Sequence, residues 1–136
     1  MNKPTPIDEE YVFSKGVIVS STDLKGTITY ANRKFCEIAG YSKTELTGEN
    51  HNIVRHPDMP KSAFAGLWEQ IESGKEWQGI VKNLRKDGKH YWVHTHISPI
   101  EIDGERIGYV AARRPVERSD IEESIAKYKQ LSENEN

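Results

Sequence analysis

The ten residues His51-Asn52-Ile53-Val54-Arg55-His56-Pro57-Asp58-Met59-Pro60 put a guanidinium, two imidazoles and a carboxylate into one polar stretch. A guanidinium matches the paired oxygens of a phosphate group, so Arg55 is the candidate anion contact. His56 can hydrogen-bond the same phosphate or a ring. Asp58 repels a phosphate, so its expected work is to orient His56 or to cap the following helix through Pro60. His51, Asn52 and, upstream, Asn32 are further candidates for the same site. The plainer reading of the stretch is a connection held by caps and prolines.

A second group sits in a strand-like run. Trp77, Gly79, Val81 and Asn83 share one strand face by period two, and they offer an aromatic plane, a bare backbone and an amide that both donates and accepts. The plainer reading is a core tryptophan and a surface amide near a turn. His90, His94 and His96 also share a face. A His-x-His pair can ligate zinc or copper, but no cysteine cluster accompanies it, and a solvated face of an antiparallel sheet accounts for it.

These residues need elements to position them. Val17-Ile18-Val19 and Thr27 to Tyr30 read as strands joined by a turn at Asp23-Leu24-Lys25-Gly26, with Gly26 free to take positive φ. Asn32 caps a short helix that Gly40 stops, and Ser42 with Glu45 has the spacing of a capping box. Ala63, Phe64, Leu67, Trp68 and Ile71 predict a helix over 61–73 with one apolar face. Three strands follow, 77–85, 90–101 and 106–114, joined by Asp87-Gly88 and Asp103-Gly104, strong hairpin signals. Ser119 and Glu122 predict the capped start of a last helix with the stripe Ile121, Ile125, Tyr128. That stripe either docks on its own domain or meets a partner. The order implies an α+β domain with an antiparallel sheet and short helices on one face.

Composition narrows the function. The chain has 136 residues and a net charge of -2, enough for one core and without the basic footprint of a nucleic-acid or anionic-membrane binder. One cysteine, Cys36, excludes an internal disulfide framework. No apolar run reaches the roughly 20 residues of a membrane span, and the polar start lacks a signal-peptide core, so a cytoplasmic protein without direct membrane insertion is expected. The expected organisation is a flexible arm or cap over 1–15, a sensor domain over 16–116, and an exit helix with a polar tail over 117–136.

The element order resembles that of a PAS domain. So do Asp23-x-x-Gly26 with Tyr30-Ala31-Asn32, Gly40-Tyr41-Ser42 with Glu45-Leu46-x-Gly48, and Arg85-Lys86-Asp87-Gly88 with Tyr91-Trp92-Val93 and Pro99-Ile100. The 51–60 stretch, Ala63-Phe64 with Leu67-Trp68, and Trp77-x-Gly79-Ile80-Val81-Lys82-Asn83 resemble the Aer-type energy-taxis (aerotaxis) receptors. The likeness covers roughly residues 17–114. It implies a PAS fold with a five-stranded antiparallel sheet, non-covalently bound FAD, and a redox sensor rather than an enzyme. The implied partner is a methyl-accepting chemotaxis-type receptor or its HAMP signalling segment, in the same or a separate chain, with homodimerisation open. On this resemblance Trp77 would stack on or close over the flavin, Gly79 would admit the ring, Asn83 would meet its edge, and Arg55, His56 and Asp58 would form the motif tied to FAD.

The light-sensing LOV relatives carry their adduct-forming cysteine in the segment that corresponds to 51–56, where this chain has none, and 106–116 lacks their glutamine. A photoadduct switch is therefore not expected. Two alternatives stand beside the flavin sensor: a ligand-free PAS interaction module, and a haem-binding gas sensor with His56 as axial ligand.

Overall fold

The computed structural model describes residues 3–135. Its sheet begins with the hairpin of β1 (Ile18–Asp23) and β2 (Ile28–Ala31). The turn is set by Asp23, whose Oδ1 accepts from the Lys25 and Thr27 amides, both at 2.9 Å, and by Gly26 at φ +87°, a left-handed conformation that a β-carbon would strain.

Three short helical pieces follow. α1 (Arg33–Ala39) is capped by Asn32, whose Oδ1 accepts from Phe35 N at 2.9 Å, and it buries Phe35, Ile38 and Ala39. α2 (Lys43–Leu46) carries the complete Ser42–Glu45 capping box. His51–Val54 is a single 3-10 turn capped by Asn50, so the polar stretch is partly helical rather than a plain loop. α3 (Lys61–Glu72) then leads to β3 (Trp77–Leu84), β4 (His90–Ile102) and β5 (Glu105–Arg114).

The five strands form one antiparallel sheet in the order β2-β1-β5-β4-β3. This order puts the two hairpin groups side by side through β1 and β5, and makes β5 the central strand. The main core, with Phe35, Ile53, Val54, Val81, Tyr91 and Val93, lies under α1 and the 3-10 turn. A smaller cluster of Leu67, Ile71 and Tyr109 lies under α3.

Three features depart from the expectations. The last helix, α4, spans Arg118–Asn134 with Glu117 at its N-cap and no side-chain cap. Ser119 therefore lies inside the helix rather than at its cap, because the helical backbone starts two residues earlier, at Arg118. Ile121 is buried and Tyr128 half-buried, but Ile125 is 48% exposed, so the stripe is only partly used. The exit helix α4 itself lies beside Lys82 and Trp92, on the sheet face opposite Val81 and Val93.

The N-terminal segment, expected as a flexible arm, is irregular but fastened. Ile7 N donates to Gly88 O, Tyr11 N to His90 O and His90 N to Glu9 O, and Phe13 enters the core. Lys3 Nζ donates to the carbonyls of Asn52 at 2.8 Å and Arg55 at 2.7 Å. Met1, Asn2 and Asn136 lie outside the described residues.

Candidate functional site

The inner face of the sheet is built in cross-strand rows. Gly79 pairs with Thr95, Thr95 with Arg113 and Arg113 with Ile18. In the next row Trp77 pairs with Ile97, Ile97 with Ala111 and Ala111 with Ser20. Alternation along each strand therefore presents Asn83, Val81, Thr95, Ile97, Tyr109, Ala111, Arg113, Ser20 and Thr22 to the same side. α3 faces them with Phe64, Leu67, Trp68 and Ile71, and the 3-10 turn closes one side with His51, Asn52, Val54 and Arg55. The cavity between them has an inner volume of about 100 Å³ within an envelope of about 760 Å³ that includes its mouth.

No residue lining this cavity is an aspartate or glutamate, yet it contains a buried cation. Arg113 is 3% exposed. Its Nη2 donates to Ser20 Oγ at 3.1 Å and to His51 Nε2 at 2.5 Å, and its guanidinium lies 5.2 Å from the centroid of the Phe35 ring. Nη1 has no hydrogen-bond partner, and among the described residues no ion pair involves Arg113. Burial lowers its pKa to about 10, so it stays charged at neutral pH. His51 is pushed down to about 3, by burial first and by the Arg113 charge second. The imidazole is therefore neutral, and its Nε2 lone pair faces the guanidinium. Thr95 Oγ1, one cross-strand pair away, is also buried without a partner.

Such groups are costly. A buried polar atom without a hydrogen bond costs about 1–3 kcal/mol, and an isolated buried charge costs more. Their concentration in one cavity, among apolar walls, fits a ligand that brings acceptors or negative charge. A flavin would suit this donor set: the apolar walls could flank its ring, and its carbonyl oxygens would be acceptors for Arg113 and Thr95.

Of the residues singled out by sequence, His51, Asn52, Arg55 and Asn83 line the cavity. Arg55 sits at the rim with its guanidinium 4.3 Å from the Phe64 ring centroid, and it pairs with edge strand β3 through a bridge to Asn83. Asn83 itself is 4% exposed.

The other candidates are elsewhere. Asn32 is committed to the fold: Oδ1 accepts from Phe35 N and Val19 N, and Nδ2 donates to Val17 O. His56 is buried but turned away from the cavity, with its ring edge-on to His90 at 6.1 Å. Its Nδ1 accepts from Asp58 N at 3.0 Å. Burial, then the Lys82 charge, pushes its pKa down to about 4. Asp58 thus orients His56, through its backbone amide, while its carboxylate pairs with Lys82 at 2.8 Å and caps nothing on α3. Trp77 folds back over Gly79, where a β-carbon would lie 2.5 Å from Cη2 of the indole. The bare backbone at Gly79 therefore admits the chain's own tryptophan, and neither residue lines the cavity. Cys36 lies half-buried on α1, against the main core.

Sequence reasoning missed Arg113, Ser20, Thr95, Trp68 and Tyr109 as cavity residues. The pair Arg113-Arg114 was the available signal: by strand alternation one of the two must face inward.

Residues 28–113 match the family described as PAS fold. The chain is 44% identical over 115 residues to the aerotaxis receptor of Escherichia coli (strain K12), covering 85% of this chain and 23% of that protein. It is 30% identical over 119 residues to the nitrogen fixation regulatory protein of Klebsiella pneumoniae, covering 86% and 24%. The chain thus spans about a quarter of the length of these relatives. Among solved structures, the PAS domain of a protein from Colwellia psychrerythraea superposes with a TM-score of 0.67 at 25% identity, covering 74% of this chain and 86% of that one. The dark structure of the blue-light photoreceptor Aureochrome1 LOV gives a TM-score of 0.71 at 23% identity, covering 82% and 86%.

Proposed function

The chain belongs to the PAS fold family, and from that premise we propose that it is a flavin-binding redox sensor holding FAD between β-sheet and α3 and reporting electron-transport or oxygen status to a chemotaxis-type signalling partner. The observation that carries this reading is the charged, carboxylate-free cavity around Arg113. A cavity serving only as an apolar core has no use for a lone guanidinium with a free Nη1, because replacing it by an apolar side chain would stabilise the fold. The 44% identity to the aerotaxis receptor supports the same reading.

Bound flavin supplies reversible electron transfer; the chain supplies the environment. Arg113 and Thr95 would hold acceptors of a bound flavin, and Asn83 would offer it an amide that both donates and accepts. Val81, Leu67, Ile71 and Ile97, which line the cavity, would exclude water from a bound ring and so strengthen every polar contact inside. Arg55 lines the cavity beside Phe64, where a guanidinium suits phosphate oxygens; the choice of FAD over FMN rests on the likeness to the aerotaxis receptor. Arg113 sits on the central strand β5 and reaches β1 through Ser20 and the 3-10 turn through His51, so it would be the first group to respond to a change of charge on a bound flavin. Redistribution of those bonds biases the domain between two partner-facing states. The partner in this reading is a methyl-accepting receptor or its HAMP segment, met at the cytoplasmic side.

Haem is the less favoured occupant. His56 points away from the cavity, and His51 Nε2 is taken by Arg113.

The test is the visible spectrum of purified protein before and after dithionite, with the released cofactor separated by chromatography. Bands near roughly 375 and 450 nm that bleach on reduction, with FAD released on denaturation, are expected. A colourless protein that also refuses added FAD overturns the reading, and a Soret band transfers the case to haem.

A further inference from the structure

Helix α3 has no side-chain cap of its own at its N-terminus, whereas its C-terminus is closed locally by Gly74 at φ +89°, with Gly74 N donating to Ile71 O and Lys75 N to Gln70 O. Pro60 at its N-cap offers no side-chain acceptor, and the first turn contains no acidic residue, so the Lys61 and Ser62 amides lack a local partner. Their partner comes from the far end of the chain. Glu135, one residue past α4, accepts the Lys61 N–H on Oε1 at 3.1 Å and the Ser62 N–H on Oε2 at 3.1 Å. The Ser62 hydroxyl donates to the same Oε2 at 2.6 Å. At the other end Arg106 of β5 donates Nη1 to the Glu72 carbonyl at 2.6 Å. The helix held in this way is the one that walls the cavity with Phe64, Leu67, Trp68 and Ile71.

The inner volume of about 100 Å³ is below the roughly 300–1,000 Å³ of small-molecule sites, so a tricyclic ring needs the cavity to widen, and α3 is one of its walls. A shift that carries the first turn of α3 away from Glu135 breaks three hydrogen bonds together. A shift that keeps them carries the end of α4 along.

We propose that Glu135 is an N-cap lent by α4 to α3, so that docking of the exit helix and the position of the cavity wall form one equilibrium. The link to ligand rests on the flavin reading of the cavity; the cap itself does not. Linkage makes the effect reciprocal: whatever factor a bound flavin adds to the docking of the α4 end, loss of that docking removes from flavin affinity.

The experiment is amide hydrogen exchange on the full chain, wild type against Glu135→Ala, with and without added FAD, together with the rate of FAD release. Without FAD, the variant should raise exchange about threefold to tenfold in the first turn of α3 and the last turn of α4, the range of a lost N-cap, leaving α1 and α2 unchanged. With FAD, wild type should gain protection at the end of α4, the variant should not, and release should quicken by a similar factor. Arg106→Gln, which loosens the other end of α3, should speed release without changing exchange in α4. Unchanged exchange at Lys61 and Ser62 overturns the cap, and equal FAD protection of α4 in both chains overturns the link. A chain that shows the exchange difference but takes up no FAD overturns the link and the cavity reading while the cap stands.

Discussion

Arg113 and His51 meet nitrogen to nitrogen, Nη2 to Nε2, across 2.5 Å, with the imidazole accepting because it is neutral. A guanidinium bonded to a neutral ring and a hydroxyl keeps its full charge, and that charge is available to whatever enters the cavity. Arg113→Met should therefore separate stability from function. The variant removes a desolvated charge and leaves Ser20 Oγ and His51 Nε2, already 3.4 Å apart, to bond each other. The apo protein should gain about 3 °C in Tm, corresponding to about 1 kcal/mol in a domain of this size. Flavin affinity should fall, and the midpoint potential of any flavin still bound should drop by about 30 mV or more, the shift of a tenfold change in a two-electron equilibrium. Scanning calorimetry and spectroelectrochemistry read the two effects. A Tm that falls with the potential unmoved would mean that Arg113 is structural.

Low pH should unfold the protein early. His51 and His56 have folded pKa values of about 3 and about 4, against about 6.5 in an unfolded chain. The unfolded state therefore binds more protons below pH 6.5, and stability present above that pH is lost as pH falls. Each histidine contributes at most about 1.4 kcal/mol per pH unit, His51 down to about pH 3 and His56 down to about pH 4. Urea unfolding at pH 7 and pH 5 should show the loss, and His51→Gln should flatten the slope. Equal midpoints at the two pH values would contradict it.

Thr95→Val replaces a buried hydroxyl that has no partner with a methyl of the same shape. The apo protein should gain about 1 kcal/mol, the lower end of the cost of an unmade buried hydrogen bond. FAD should bind more weakly than to wild type. Urea midpoints and a flavin titration measure the pair of effects; a destabilised apo variant would show that the hydroxyl is satisfied in solution.

Gly79→Ala tests the fold-back of Trp77. A β-carbon at 2.5 Å from Cη2 forces the indole off its seat, at a cost of about 1–3 kcal/mol. Its emission should shift to the red as the ring meets water. Unchanged emission and stability would show that Trp77 does not rest on Gly79.

What the sequence revealed follows the range of the interactions. The Asn32 cap, the Ser42–Glu45 box and the Asp23 turn each close within four residues, so spacing is enough to read them. The 77–83 face was readable by period, and Val81 and Asn83 do face the cavity. The period could not foresee that Trp77 bends back along its own strand. The pair Arg113-Arg114 signals that one arginine faces inward, but which one, and that it lands in the cavity, depends on two registers at once, with Thr95 on β4 and Ile18 on β1. His56 and Arg55 are adjacent in a polar stretch, yet one is buried against His90 and the other lines the cavity. Glu135 caps a helix that starts 74 residues earlier, beyond any local motif.

Both edges of the sheet are already occupied by the chain itself. On β2, Ile28 N donates to Glu49 O and its carbonyl accepts from Gly48 N. On β3, Arg55 bridges to Asn83 and the Tyr128 hydroxyl donates to the Ile80 carbonyl. An unprotected edge is a template for a strand from another molecule; here the chain itself takes up part of that template at both margins. One of these contacts, Tyr128, is carried by α4. A molecule whose last helix lifts away therefore exposes a stretch of β3, and the same movement that frees the helix opens a seam along which two copies, or a copy and an extended peptide, can join by backbone alone.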